Sequence, residues 1–110
     1  MAASDRPRKL GDAEIAEALG ALPGWTLRAG KLHREFRFRS FNQAFGFMAR
    51  AALHAEAMDH HPEWSNVYAT VVVDLVTHSA RGITALDVEL ARKLGAIARE
   101  LGERADPSAS

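Results

Sequence analysis

Apolar positions recur along this chain with helical spacing in three segments and with strand spacing in the stretches between them. Ile15, Leu19 and Leu22 fall at i, i+4 and i+7, which predicts a helix that Asp12 can cap and that runs to about Ala21. Pro23-Gly24 ends it. Trp25–Ala29 and Leu32–Arg39 then predict a hairpin around Gly30. In its second arm Leu32, Phe36 and Phe38 share parity, and Arg37 and Arg39 take the other face. Ser40-Phe-Asn-Gln43 is a capping-box pattern that opens a helix to about Met58. The stripe Phe41, Ala44, Phe45, Met48, Ala51, Ala52 and Ala55 is expected to face inward. Pro62 cannot continue that helix. Trp64–Tyr68 and Thr70–His78 predict a second strand pair. Thr84-Ala-Leu-Asp87 is a second capping pattern, opening a long helix with an inner stripe of Leu86, Leu90, Leu94, Ile97 and Leu101.

The order is α-β-β-α-β-β-α. Short connections between paired strands favour antiparallel pairing. Three helices with one apolar stripe each predict an α+β fold, a four-stranded antiparallel sheet with the helices packed on one face. Val72 and Val76 point away from Val71, Val73 and Leu75, so the uncovered face carries apolar residues too. Such a face is often buried by another subunit, and a homo-oligomer is expected.

Length and composition bound the rest. The 110 residues suit one domain with a single modest core, with loose termini over residues 1–9 and 106–110. Lys+Arg and Asp+Glu number 14 each, which speaks against nucleic-acid or membrane-surface binding driven by bulk charge. The absence of cysteine removes disulfides, thiolate metal sites and a cysteine nucleophile. No apolar run has the length of a signal peptide or a membrane span, so the expected location is cytoplasmic.

Candidate chemistry concentrates in Glu56-Ala-Met-Asp59-His60-His61-Pro62-Glu-Trp64-Ser-Asn66-Val-Tyr68, with His78 after the next apolar run. Three of the five histidines fall here. Imidazole titrates near neutral pH, so the cluster suits proton transfer or, with a carboxylate, zinc or iron. Surface histidines around an aromatic-proline loop are the plain alternative. Against metal, the chain has no short H-x-H or H-x-x-x-H spacing. Asp87 is accounted for by capping alone, Trp64 and Tyr68 by packing, and His33 and His54 by the surface.

The string Glu56-x-x-x-His60-His61-Pro62-Glu-Trp64-x-Asn66-Val67-Tyr68 resembles the pterin-4a-carbinolamine dehydratases. So do Phe41-Asn-Gln-Ala-Phe-Gly-Phe-Met48, Thr77-His78 and Gly82-x-Thr84-x-x-Asp87. The resemblance covers about Leu10 to Leu101. It implies the same α+β fold, dimers or tetramers, and dehydration of a 4a-hydroxytetrahydropterin to the quinonoid dihydropterin without metal or organic cofactor. It implies His60, His61 and His78 as the catalytic groups around the pterin. Glu56 and Asp59 would orient or tune them, Trp64 would shape the pocket wall, and Asp87 would position His78 or the pterin. In animals the same fold also serves as a dimerisation cofactor of a hepatocyte homeodomain transcription factor, so a non-enzymatic partner module is the alternative. No membrane or direct nucleic-acid partner is implied.

Overall fold

The computed structural model describes residues 7–104. Its elements follow in the expected order: α1 (Asp12–Gly20), β1 (Thr26–Arg28), β2 (Lys31–Arg37), α2 (Phe41–Met58), β3 (Glu63–Val67), β4 (Thr70–Leu75) and α3 (Ala85–Glu100). The strands form one antiparallel sheet in the order β1-β2-β4-β3. Leu32 lies opposite Leu75, and Phe36 opposite Val71, so one face is apolar along both central strands. Phe36, Phe38 and Phe47 meet on that face with centroids 4.6–6.5 Å apart. Trp25 packs edge-on against Phe36 at 5.8 Å. Burying each such ring contributes about 1.5–3 kcal/mol, and these four rings anchor the sheet to the helices.

Capping explains the helix starts. Ser40 Oγ accepts from the Gln43 amide, and Gln43 Oε1 accepts from the Arg39 amide. Thr84 and Asp87 form the capping box of α3. Gly11, rather than Asp12, is the N-cap of α1, because Glu14 Oε1 accepts the Gly11 N–H at 2.9 Å. The lead-in is tied down in its described part, since Arg8 grips both oxygens of Glu14 and the Leu10 amide donates to Ile83 O. The rest of the lead-in, and the tail from 106 to 110, lie outside the described residues.

Three expectations change. Phe41 and Phe45 are 49% and 56% exposed, and Ala52 is exposed too. Phe47 takes the inner position beside Ala44, Ala51 and Ala55. Apolar residues surround most of α2, so spacing alone does not choose its inward face. The fourth strand ends at Leu75. Thr77 makes only an isolated bridge to Gly82, and His78 opens a 3₁₀ turn, His78–Ala80. The outer sheet face is mainly charged rather than apolar: Lys31 pairs with Glu63, His33 with Asp74 and Arg37 with Glu35. Val72 sits half-buried among them, and His33 is not a bare surface residue.

Candidate active site

The end of α2 sets up the site. Asp59 adopts a left-handed conformation at φ 51°. The His60 amide then reaches back to Ala55 O at 3.0 Å and the Asp59 amide to Glu56 O at 3.1 Å, a Schellman closure. Asn more often than Asp fills this position after Gly, and its strain is absorbed by the two bonds. The turn sends consecutive imidazoles to opposite environments. The His60 side chain is 9% exposed and the His61 side chain 58%. Pro62 restricts His61 to extended backbone, so the pair cannot relax into another helical turn.

Each of the three expected histidines bonds a different carboxylate. His60 Nε2 and Asp87 Oδ1 lie 2.6 Å apart, buried. His61 Nε2 meets Glu56 Oε1 at 3.1 Å, and His78 Nε2 meets Glu63 Oε2 at 2.9 Å, both exposed. Asp87 is the hub. Its fully buried side chain also accepts from Thr77 Oγ1 at 2.8 Å and from the Thr84 amide at 2.9 Å, both on Oδ2. A helix cap is thereby also the seat of an imidazole.

Two long-range bridges bring the segments together. His60–Asp87–Thr77 joins the loop after α2 to the segment carrying His78. Glu63–His78 joins the start of β3 to the same segment. Sequence reasoning missed Glu63 as an anchor, and Lys31 behind it at 2.6 Å. The Lys31 ammonium holds the Glu63 carboxyl below its usual range, and the His78 hydrogen bond adds to this. Glu63 raises the Lys31 amine in turn. The carboxylate two residues beyond His61 in the motif was the available signal.

Of the two roles expected for Asp87, positioning His78 or the pterin, the first is not made directly: its carboxylate bonds His60, where the cap holds it. Glu56 does hold an imidazole. Asp59 contributes backbone geometry through its left-handed turn. Trp64 is half-buried and packs on the core edge, opposite Val73. Asn66 donates to Tyr68 O at 3.0 Å and Thr70 O at 2.9 Å, which fixes the β3–β4 turn where Tyr68 has φ 49°. Among the described residues no group of three His, Asp or Glu side chains is placed to hold a metal ion. The arrangement offers proton donors and acceptors whose ring orientations are set by carboxylates.

Comparison with known proteins places the chain at the level of family. The family model described as "Pterin 4 alpha carbinolamine dehydratase" matches residues 8–97. A protein of Solibacter usitatus is 58% identical over 90 residues, covering 82% of this chain and 95% of the relative. One of Rhodopseudomonas palustris is 54% identical over 99 residues, covering 88% and 98%. Both carry the name "Putative pterin-4-alpha-carbinolamine dehydratase". A crystal structure of a "transcriptional coactivator/pterin dehydratase" from Brucella melitensis superposes with a TM-score of 0.81 at 53% identity, covering 83% of this chain and 99% of that one. With its fold, its motif window and most of its length matched, the chain belongs to the pterin 4 alpha carbinolamine dehydratase family, a family of hydro-lyases.

Proposed function

We propose that this protein eliminates water from a 4a-hydroxytetrahydropterin, giving the quinonoid dihydropterin for reuse, by histidine general acid/base catalysis. The observation that carries the reading is the division of the three imidazoles. His61 and His78 face solvent with Nε2 anchored on Glu56 and Glu63, and His60 is buried on Asp87. Anchoring through Nε2 leaves Nδ1 of His61 and of His78 as the nitrogen free to meet substrate. Hydroxide is a poor leaving group from C4a. One imidazolium delivers a proton to that oxygen while the N5 lone pair expels water, and a neutral imidazole accepts the ring proton released. Each transfer contributes about 10²–10⁴-fold. His60 acts from below as a positioning residue, its ring fixed by the Asp87 hub. No metal or organic cofactor enters this scheme.

The test is a stopped-flow assay of chemically generated 4a-hydroxytetrahydropterin with wild-type protein, His61→Ala and His78→Ala. Each variant is expected to lose about 10²-fold or more in kcat with unchanged circular dichroism. Wild-type rates in both variants would refute the assignment.

A second reading concerns partners. Phe41, Phe45 and Leu53 leave α2 with a side that is 49–73% exposed. Covering it with another copy of the chain gives a homodimer or homotetramer. The same surface suits the non-enzymatic alternative, a module that stabilises a partner protein. Light scattering at micromolar concentration is expected to give a multiple of 12.0 kDa, and Phe45→Glu to lower that multiple. A wild-type monomer would remove this reading.

A further inference from the structure

Arg34 is the charged residue that the sheet points the wrong way. It lies between Leu32 and Phe36 on the face that the helices cover, opposite Val73. Its side chain is 14% exposed. Two glycines make the room. A Cβ on Gly24 would lie 2.7 Å from Arg34 Nε, and one on Gly95 3.3 Å from Nη1. Gly95 falls inside α3, where glycine costs about 1 kcal/mol relative to alanine, so the space there is kept against helix propensity. The guanidinium carbon stands 4.3 Å from the Phe36 ring centre. Nη2 binds both oxygens of Glu103 at 2.7 and 2.8 Å. Nε and Nη1 have no protein acceptor among the described residues.

Beside this guanidinium is a cavity of about 100 Å³, lined by Pro23, Trp25, Arg34, Arg92, Gly95 and Arg99 among others. It shares no residue with the histidine site. Trp25 is 5% exposed, and its indole Nε1 is the one buried side-chain nitrogen or oxygen among the described residues that lacks a hydrogen-bond partner. An orphan N–H of this kind costs about 1–3 kcal/mol, and the ring that carries it forms part of the cavity wall. The volume holds roughly three waters at about 30 Å³ each, or one tetrahedral oxyanion. Charge separates the two. The wall carries three guanidinium groups. Glu103 bonds the first and also attracts Arg99, and Glu89 bonds the Arg92 guanidinium within the same helix, so three cations face two carboxylates. Guanidinium forks match the oxygens of phosphate in geometry as well as charge.

We propose that this cavity is a second ligand site, taking a phosphate-class oxyanion with the free N–H groups of Arg34 as inner donors, the Trp25 ring in its wall and Arg92 and Arg99 at its rim. Arg92 is exposed, so the rim is open and leaves space for the rest of a phosphate monoester.

The indole cross-peak of Trp25 in a ¹H–¹⁵N spectrum, assigned by its loss in Trp25→Phe, gives the readout. Inorganic phosphate is one arm and glycerol 3-phosphate the other, with sodium chloride at matched ionic strength as the control. The peak is expected to move to saturation at millimolar phosphate or monoester and to stay still in chloride. Tighter binding of the monoester would mark the ester as the source, and equal binding the free ion. Arg34→Gln is expected to weaken binding by about tenfold or more, the scale of one charged hydrogen bond. Because Arg34 is also a structural ion pair, the rim variant Arg92→Gln is the second arm, expected to weaken binding severalfold with an unchanged spectrum elsewhere. A peak that ignores both phosphates, that moves equally in chloride, or that titrates identically in both variants would overturn the proposal and leave the cavity to water.

Discussion

Replacing Asp87 tests the hub from which the candidate site is built. Its carboxylate accepts from three donors: His60 Nε2, Thr77 Oγ1 and the Thr84 amide. In Asp87→Ala the Thr77 hydroxyl keeps a partner in Thr84 Oγ1 at 2.7 Å. The Thr84 amide and the His60 ring nitrogen do not. Two buried donors left unmet at about 1–3 kcal/mol each give a loss of about 4 kcal/mol, in line with the 3–5 kcal/mol for removing one member of a buried pair. A domain of this size has only about 5–15 kcal/mol in total, so Asp87→Ala should stand near the edge of folding, with its melting temperature down by about 15 °C or more. Asp87→Asn separates cap from imidazole. Its carbonyl oxygen can stay on the Thr77–Thr84 side and preserve the cap. Its amide then confronts His60 Nε2, and the ring relieves the clash of donors by carrying its proton on Nδ1. The expected loss is about 1–2 kcal/mol, with a changed tautomer visible in ¹⁵N spectra of the His60 ring. Calorimetry supplies the stabilities. An Asp87→Ala protein within 1 kcal/mol of wild type, or an Asp87→Asn protein with an unchanged His60 tautomer, would refute the hub.

Further expectations follow from other contacts. Glu63→Gln replaces the charged anchor of His78 with a neutral amide and should lower kcat by about tenfold with little change in KM, read in the same stopped-flow assay. Prolonged chelation should leave the dehydration rate unchanged, and recovery of a lost rate by added zinc or iron would contradict the scheme. Gly24→Ala places a Cβ 2.7 Å from Arg34 Nε at a φ of 87°, and should cost about 1–3 kcal/mol in urea titration. The hydrogen bond from Arg8, joined by the Gly11 amide, lowers the Glu14 carboxyl from 4.5 to about 2. A depressed acid stabilises the fold above its unfolded value, so this contribution is complete above pH 4.5 and disappears as pH falls toward 2. The carboxyl carbon of Glu14 should titrate correspondingly late in ¹³C spectra.

The parts of the fold written in local spacing were legible. Ser40 and Thr84 announce their helices because capping needs only residues three apart. The parity of Leu32, Phe36 and Phe38 gives the buried face of β2 and its extension. Arg34 has the same parity and its burial was not legible, because its partner Glu103 lies 69 residues away. The end of β4 was hidden by Val76 and Thr77, which are β-branched and continue the strand pattern past the last ladder pair at Leu75. In α2 the periodicity admits either Phe45 or Phe47 inside, and only packing against Phe36 and Phe38 decides. At the site the residue types were readable and their partners were not. The His60–Asp87 contact spans 27 residues and depends on how α3 docks.

That docking has a temporal consequence. The Thr84 amide donates to the same carboxylate oxygen that Thr77 uses, and the carboxylate's other oxygen holds His60. The first turn of α3 therefore cannot fray without releasing the imidazole, and the imidazole cannot swing free without loosening that turn. Any excursion that opens the site should expose the Thr84 amide to solvent at the same moment. The hydrogen-exchange rate of this single backbone proton becomes a clock for how often the resting protein disassembles its own site. During folding, the His60 ring acquires its fixed orientation only when the last helix arrives on the sheet.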